Sequence, residues 1–263
     1  FTPSKNAIIF ALPKNSSACL NIHHACSISH FSVSNVITIT SFSFGDSVQH
    51  IPAYLCNDMS NITSIEIPSN VTSIEASAFE GCSALTSILW NTKKWNEEGN
   101  TPFNNIASQI TSFTFGDSVQ HIPTRLLAGM NKITSITIPS NIQSIRDNNN
   151  IDSLQEIRFN INTLEDFINS DINKLCWEKI NGYCARKLFK DNIEVTEIII
   201  PETFTTIPEY TFTNCSALTS VTIPDGIKAI PRNAFIGCEK IKNIVIPEGV
   251  TAIKAYAFLY CKS

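Results

Sequence analysis

The chain has 263 residues, a formal net charge of −4 and 43% hydrophobic residues, a content sufficient to build a core. The mild negative charge argues against a nucleic-acid partner, because neutralising phosphates needs clustered Lys and Arg. No stretch of about 18 apolar residues occurs, so no transmembrane segment is predicted. The apolar stretch Ala7–Leu12 is too short for a signal-peptide core, and we expect a mature or shortened form with any targeting signal outside it.

Residues 1–35 lack the repeating pattern that begins at Val36, and we expect them to form an N-terminal cap. They contain the zinc-binding residue types Cys19, His23, His24, Cys26 and His30. The spacings of these residues fit no common zinc motif. We therefore interpret this segment as a polar loop of the cap and predict no metal site.

Regular repeats run from about Val36 to Ile145. The phrase ITSFSFGDSVQHIP begins at residue 39, and ITSFTFGDSVQHIP begins at residue 110, which is 71 residues later and corresponds to about three units. A constant period of about two dozen residues predicts a solenoid. His50 and His121 belong to the duplicated phrase and lie about 14 Å apart, at roughly 4.8 Å per strand. They cannot share a catalytic centre, so we attribute them to duplication.

One unit is longer than the others, at residues 90–103 (WNTKKWNEEGNTPF), and we expect a long loop there. Trp90 is expected to pack at the last strand position, and Phe103 to close the loop. Trp95 is the candidate surface aromatic, a residue type favoured at binding hot spots. Glu97 and Glu98 are expected to be solvated.

The pattern degrades from Arg146 to Asp191, within a segment that we assign to residues 146–192. Apolar side chains at helical spacing occupy Leu164, Phe167, Ile168, Ile172 and Leu175. Thr163 and Asp166 form a capping pair. We therefore expect a helix inserted into the repeats or replacing one of them.

Regular units resume at Val195 and continue to the end of the chain, with Cys215, Cys238 and Cys261 spaced 23 residues apart. In Leu218-x-x-Val221-x-Ile223 the last two apolar residues alternate, as on one face of a short strand. Pro224 ends that strand because it has no N–H to donate. Because Ser263 comes where the next strand would begin, we expect further repeats or another domain beyond it.

A single unit cannot fold alone. Its five to seven apolar side chains contribute roughly 1.5–3 kcal/mol each when buried. Ordering the backbone costs on the order of 1–2 kcal/mol per residue over about 23 residues. Units that stack cover each other's apolar edges and complete each other's strand hydrogen bonds, so the fold requires a row of them.

The phrases SALTSI, LTSVTIPDGIKAI and AFIGC resemble those of the BspA-like leucine-rich repeats of bacterial and protist surface proteins, over about Val36 to Ser263. The resemblance implies a leucine-rich-repeat solenoid of the α/β class, dominated by β-structure, with a parallel sheet and one short strand per repeat of about 23 residues. It also implies an extracellular or cell-surface location and adhesion to host matrix proteins or other microbes.

Nine cysteines occur, and four of them share one repeat position: Cys82, Cys215, Cys238 and Cys261. We interpret these four as small buried apolar side chains. Stacked neighbours lie near 5 Å apart, but parallel Cβ vectors do not favour disulfides. Cys176 and Cys184 lie outside the repeat and can pair or stay free.

No nucleophile elbow, phosphate-binding glycine loop or HExxH motif occurs, so we predict no catalytic residue, no cofactor and no enzyme. Alternation instead predicts an outward strand surface, rich in hydroxyls, that is formed by Ser41, Ser43, Ser64, Glu66, Ser87, Leu89, Ser112, Thr114, Ser135, Thr137, Glu156, Arg158, Glu197, Ile199, Ser220, Thr222, Asn243 and Val245. Its area of roughly 750 Å² approaches the roughly 800 Å² that each partner contributes to a standard interface.

Three hypotheses follow for this surface and Trp95. The first is binding of a protein partner, with host extracellular matrix as the candidate. The second is glycan binding by the hydroxyls and aromatic side chains, which a glycan array would distinguish. The third is a structural spacer for an unseen C-terminal module, which the sequence beyond Ser263 would reveal.

Overall fold

A computed structural model describes residues 17–22, 38–95, 101–146, 149, 151–170 and 185–262. The chain divides into two compact units. Unit 1 comprises Phe1–Thr134 and Ile145–Ser153, and unit 2 comprises Ser135–Ser144 and Leu154–Ser263. Each unit consists of solenoid turns built mainly from short parallel strands, which confirms the predicted fold class.

The described part of the chain contains 18 strands, one short α-helix and a single 3₁₀ turn at Ala107–Gln109. The strands are β1 (Ser17–Ile22), β2 (Thr38–Phe44), β3 (His50–Ile51), β4 (Ser64–Ile67), β5 (Ser73–Ile74), β6 (Ser87–Trp90), β7 (Ser112–Phe115), β8 (His121–Ile122), β9 (Ser135–Ile138), β10 (Ser144–Ile145), β11 (Glu156–Asn160), β12 (Ala185–Lys190), β13 (Ile193–Glu194), β14 (Glu197–Ile199), β15 (Ser220–Thr222), β16 (Ala229–Ile230), β17 (Asn243–Val245) and β18 (Ala252–Ile253). The helix is α1 (Leu164–Asn169).

In unit 1 the longer strands form a parallel sheet in the order β4-β6-β7, and the two-residue strands β3 and β5 pair beside it in parallel. Side chains alternate along β4, so that Ile65 and Ile67 are buried whereas Ser64 and Glu66 are exposed. This alternation follows from the pleat of an extended strand. The duplicated SVQHIP phrases adopt matching burial patterns, with His exposed and Ile buried in both β3 and β8.

In unit 2 the strands β9, β11 and β12 are parallel, and β13 is antiparallel to β12. A second parallel sheet has the order β14-β15-β17, and β16 pairs with β18. The turns that begin with β15 and β17 therefore each contain a main strand followed by a two-residue strand, β16 and β18 respectively.

Threonine hydroxyls add a second ladder to the backbone hydrogen bonds of the turns. Thr72 donates from Oγ1 to the carbonyl oxygen of Gln49, Thr219 to that of Thr196 and Thr251 to that of Lys228, each 23 residues earlier. These three distances lie between 3.0 and 3.2 Å. The recurring Thr side chains therefore link neighbouring turns by hydrogen bonds.

Phenylalanine rings stack along the core of unit 2. Phe212 and Phe235 are nearly parallel at 5.3 Å between ring centroids, and Phe235 and Phe258 at 5.5 Å. The cysteines follow the same column: the thiol of Cys238 donates to the carbonyl of Phe212 at 3.0 Å, and that of Cys261 to the carbonyl of Phe235 at 3.3 Å. The period of 23 residues predicted this alignment.

The tight turn before each cysteine of the shared repeat position (Cys82, Cys215, Cys238 and Cys261) has a residue with positive φ. Gly237 has a φ of +74° there, and the equivalent Asn214, one turn earlier, has a φ of 56°. A Cβ on Gly237 would meet the side-chain oxygen of Asn214. Glycine therefore serves both the backbone conformation and the close approach between turns.

Helix α1 follows Thr163, whose hydroxyl accepts the backbone N–H of Asp166 at 3.0 Å. Phe167 and Ile168 of this helix are buried. Ile172 and Leu175, which the spacing also assigned to the helix, lie outside the described residues.

The sequence did not predict the hairpin of β12 and β13. Asp191 and Asn192 join the two strands with φ values of 51° and 63°, as expected of a type I′ turn. Asn and Asp tolerate this left-handed conformation better than other non-glycine residues.

The expected cap lies mostly outside the described residues. Its described part, β1, pairs in parallel with β2. Of the Cys and His cluster, His23, His24, Cys26 and His30 lie outside the described residues. The same holds for Cys176 and Cys184, and their pairing stays a prediction.

Replacing Phe235 by Ala should destabilise unit 2 by about 3–5 kcal/mol, because the side chain is fully buried between two rings and leaves a cavity. The half-buried Phe258 is the matched control, and its replacement by Ala should cost less than half as much. Urea unfolding followed by circular dichroism measures both. Equal losses for the two variants would contradict the stacked column.

Alkylation should distinguish the cysteines of the column. Burial raises the pKa of the Cys215 thiol to about 12, whereas Cys261 is only half-buried. Because the thiolate is the reactive form, iodoacetamide at pH 8 should label Cys261 at least about tenfold faster than Cys215. Mass spectrometry of peptides measures the rates, and denatured protein provides the control. Equal rates in the native protein would contradict the structure.

Candidate functional site

Two rows of outward side chains cross the β4-β6-β7 sheet of unit 1. Strand register aligns them as Ser64, Ser87, Ser112 and as Glu66, Leu89, Thr114. Ser87 and Leu89 are half-buried, and the other four are exposed. The amide of Asn91 donates to Oε1 of Glu66 at 3.0 Å. This surface therefore presents mainly hydroxyl groups and one carboxylate.

The outer face of β9, β11, β12 and β13 in unit 2 begins with the exposed Ser135 and Thr137 and continues with charges. Glu156 binds Arg158 at 2.6 Å and Lys187 at 2.8 Å. Partial burial opposes ionisation of Glu156, but these two cations outweigh it and lower the pKa of the carboxyl group. The sequence predicted Glu156 and Arg158 on this face, but it did not predict the salt bridge between Lys187 and Glu156.

The outer face of the β14-β15-β17 sheet differs, because it carries exposed aliphatic side chains. Register aligns one row as Glu197, Ser220 and Asn243, and the next row as Ile199, Thr222 and Val245. Ile199 and Val245 are each 74% exposed. The three residues of the second row are hereafter called the aliphatic row.

The long loop begins with Trp90, which is fully buried and lies 5.9 Å from Phe103 between ring centroids. Phe103 also stacks on Phe79 at 5.6 Å. Both aromatic residues therefore belong to the core, as the sequence predicted. Trp95 is half-buried, with its ring 5.1 Å from that of Trp90. Glu97 and Glu98 lie outside the described residues.

Trp95 borders a pocket of about 330 Å³ in unit 1. The described residues that line it come from the segment after β6, from the region of β8 and from the end of β10, namely Thr92, Lys93, Lys94, Trp95, Gln120, His121, Pro123, Thr124 and Arg146. This set contains three fixed positive charges, one imidazole and no carboxylate. The sequence singled out Trp95 and His121 separately and did not predict that they meet.

A buried asparagine holds two segments of this pocket together. Asn149 donates from Nδ2 to the carbonyl of Pro123 at 2.7 Å and to that of Arg146 at 3.0 Å. Its Oδ1 accepts the backbone N–H of Leu127 at 3.0 Å. All polar atoms of the side chain are therefore used, and they fix the backbone beneath the lining residues Pro123 and Arg146. No sequence pattern indicated this role, since Asn149 stands in an irregular Asn-rich segment.

His50 lies within a polar cluster on the exposed edge of β3. Its Nδ1 is 2.7 Å from Oγ of Ser73, and its Nε2 is 3.1 Å from Oε1 of Glu75. The backbone N–H of Ala53 donates to the other oxygen of that carboxylate. In the second copy of the phrase, 71 residues later, Arg146 takes the place of Glu75. The cluster ties neighbouring turns together.

Within the described ranges, no three His, Cys, Asp or Glu side chains are grouped so as to hold a metal ion. The same ranges contain no helix of the length and apolarity that a bilayer crossing requires. The side chains that remain as candidates are those of the outward strand surfaces and of the pocket.

Replacing Asn149 by Ala should destabilise unit 1 by about 1–3 kcal/mol, because two buried carbonyls and one N–H lose their partner. The exposed Asn131, replaced by Ala, serves as the matched control and should change stability little. The midpoint of urea unfolding measures both variants. An unchanged midpoint for Asn149→Ala would show that the clamp contributes nothing.

The profile of the BspA type leucine rich repeat region matches residues 49–176 and 179–263, with 6 copies. Three bacterial structures resemble the chain at low identity. A leucine-rich repeat protein from Bacteroides ovatus is 17% identical, with 92% of this chain and 68% of that chain covered and a TM-score of 0.36. A leucine rich cell surface protein from Faecalibacterium prausnitzii is 17% identical, with 94% and 80% covered and a TM-score of 0.32.

The pneumococcal vaccine antigen PcpA is 13% identical, with 93% of this chain and 64% of that chain covered and a TM-score of 0.38. No curated protein has a significant match to this chain. The repeat profile covers most of the sequence, from residue 49 to residue 263 with a gap of two residues. The chain therefore belongs to the BspA type leucine-rich repeat family.

Proposed function

We propose that this chain is a binding protein of the cell exterior that recognises a protein partner, with host extracellular matrix as the candidate. The observation that carries the proposal is the aliphatic row of Ile199, Thr222 and Val245, because its two large apolar side chains are each 74% exposed. The contact surface is the outer face of the β14-β15-β17 sheet. The role is binding, without catalysis.

A single exposed aliphatic side chain is ordinary in a soluble protein. Here two of them lie in one row on a rigid sheet, about 10 Å apart at roughly 4.8 Å per strand. Complete burial of each against a partner would contribute roughly 1.5–3 kcal/mol. Aliphatic anchors among polar residues match the core and rim of a protein interface, whereas they offer few hydrogen bonds to a neutral glycan.

The neighbouring row supplies polar groups for orientation. Glu197, Ser220 and Asn243 stand beside the aliphatic row in the same sheet. Ser220 is half-buried and the other two are exposed, so they can form hydrogen bonds at the rim. The other members of the sequence-predicted face remain proposed contact residues, each within its own unit: Ser64, Glu66, Ser87, Leu89, Trp95, Ser112 and Thr114 in unit 1, and Ser135 and Thr137 in unit 2.

Replacing Ile199 and Val245 together by Glu should weaken binding to an immobilised matrix protein at least about tenfold, because burying an unpaired carboxylate is costly. Surface plasmon resonance against separate fibronectin, collagen and laminin surfaces measures the effect. Ser220→Glu combined with Thr222→Glu places the charges in the middle of the sheet and should give a similar loss.

The control variant carries Thr205→Glu and Thr206→Glu, which add the same charge in an exposed turn after β14. Its affinity should equal that of the unchanged protein. If the wild-type chain binds a matrix protein and both face variants bind it equally well, the β14-β15-β17 face is not the contact. If the wild-type chain binds none of the surfaces, matrix recognition is wrong.

A further inference from the structure

The described lining of the pocket beside Trp95 carries three fixed positive charges, although the chain as a whole has a net charge of −4. Lys93, Lys94 and Arg146 line it together with His121, and none of its described lining residues is a carboxylate. Charges of one sign around a concave site focus the electrostatic potential and raise the local concentration of an oppositely charged ligand. The charge therefore favours an anionic occupant.

The remaining lining residues indicate what the anionic group is attached to. Trp95 offers part of an indole face, and Thr124 and Gln120 offer a hydroxyl and an amide. The C–H face of a pyranose ring packs on an aromatic ring, while its hydroxyls form hydrogen bonds with such polar groups. A volume of about 330 Å³ lies within the roughly 300–1,000 Å³ typical of small-molecule sites and exceeds what a simple inorganic anion needs.

The pocket is also held in place before any ligand arrives. The ring of Trp95 rests 5.1 Å from that of the buried Trp90. The backbone N–H of Lys93 donates to the carbonyl of Ser69 at 3.1 Å. Asn149 fixes the backbone of Pro123 and Arg146. A site that is already ordered loses less conformational entropy when it binds a ligand.

We propose that this pocket binds an acidic sugar, a saccharide that carries a carboxylate or a sulfate group. The sugar ring lies against Trp95, and Arg146 with Lys93 and Lys94 binds the anionic group. Arg146 can contact a carboxylate or sulfate through two parallel hydrogen bonds. This site lies in unit 1 and goes beyond the proposed protein contact, with which it shares only Trp95.

Saturation-transfer difference NMR on the full chain tests the proposal with three acidic probes: glucuronic acid, N-acetylneuraminic acid and a sulfated heparin disaccharide. Comparison of the three probes shows whether the pocket prefers a carboxylated or a sulfated sugar. At least one of them should bind with a dissociation constant on the order of 1 mM or tighter. Glucose, the neutral partner of glucuronic acid, should bind at least about tenfold more weakly.

Two variants assign the binding to the pocket. Arg146→Ala removes an exposed charge and should lower the affinity for the acidic sugar about tenfold. Trp95→Leu keeps an apolar side chain against Trp90 but removes the aromatic face. It should therefore also lower the affinity for the acidic sugar. The double variant Lys240→Ala with Lys242→Ala, at exposed positions of unit 2, removes charge elsewhere and should leave the affinity unchanged. Thermal unfolding checks that every variant is folded.

Three results would overturn the proposal. The first is that none of the three acidic sugars binds. The second is that sodium sulfate or sodium acetate at the same ionic strength displaces them at equal concentration, which would show an anion site without sugar recognition. The third is equal affinity in Arg146→Ala, Trp95→Leu and the lysine control. These variants leave the β14-β15-β17 surface unchanged. A negative result for sugar binding therefore does not decide the protein-binding proposal, which has a separate test.

Discussion

Stacking of one turn on the next is the interaction on which each unit depends. No single turn buries enough apolar surface to offset its backbone entropy, so its strands, hydroxyls and rings find their partners one turn away. Two examples show this. The hydroxyls of Thr72, Thr219 and Thr251 each donate to a carbonyl 23 residues earlier. The rings of Phe212, Phe235 and Phe258 stack in parallel from one turn to the next. Because partners recur at one period, a substitution in one turn also affects its neighbours.

Stacking also determines which side chains remain available for binding. The inward positions are used by the core, so that the thiols of Cys215 and Cys238 are buried and their pKa values are raised. The outward positions of the strands have no such structural duty, and their chemistry varies along the chain. Unit 1 presents hydroxyls, and unit 2 presents the charged group around Glu156 and the aliphatic row. A shared scaffold thus carries surfaces of different chemistry.

The pocket forms where the repeat is irregular. In several turns a proline follows the strand, as Pro224 follows Ile223, and ends its ladder of hydrogen bonds. After β6 the residue that follows Trp90 is Asn91, and the chain continues through Lys93 and Lys94 to Trp95. This extra length places two cations and an aromatic ring beside the region of β8. The site therefore arises from a departure from the repeat, and the buried side chain of Asn149 helps to hold it in place.

Sequence alone determined the features that repeat. Period and alternation predicted the solenoid, the cysteine column, the burial of Trp90 at the last strand position and the outward rows, because each depends on spacing within a turn or on its copy in the next. The Thr163 cap was also readable, since it is local. Only the tertiary structure decided features that join irregular segments: the β12–β13 hairpin, the salt bridges of Lys187 and the meeting of Trp95, His121 and Arg146. These contacts lack a repeated spacing, so no pattern along the chain encodes which residues come together.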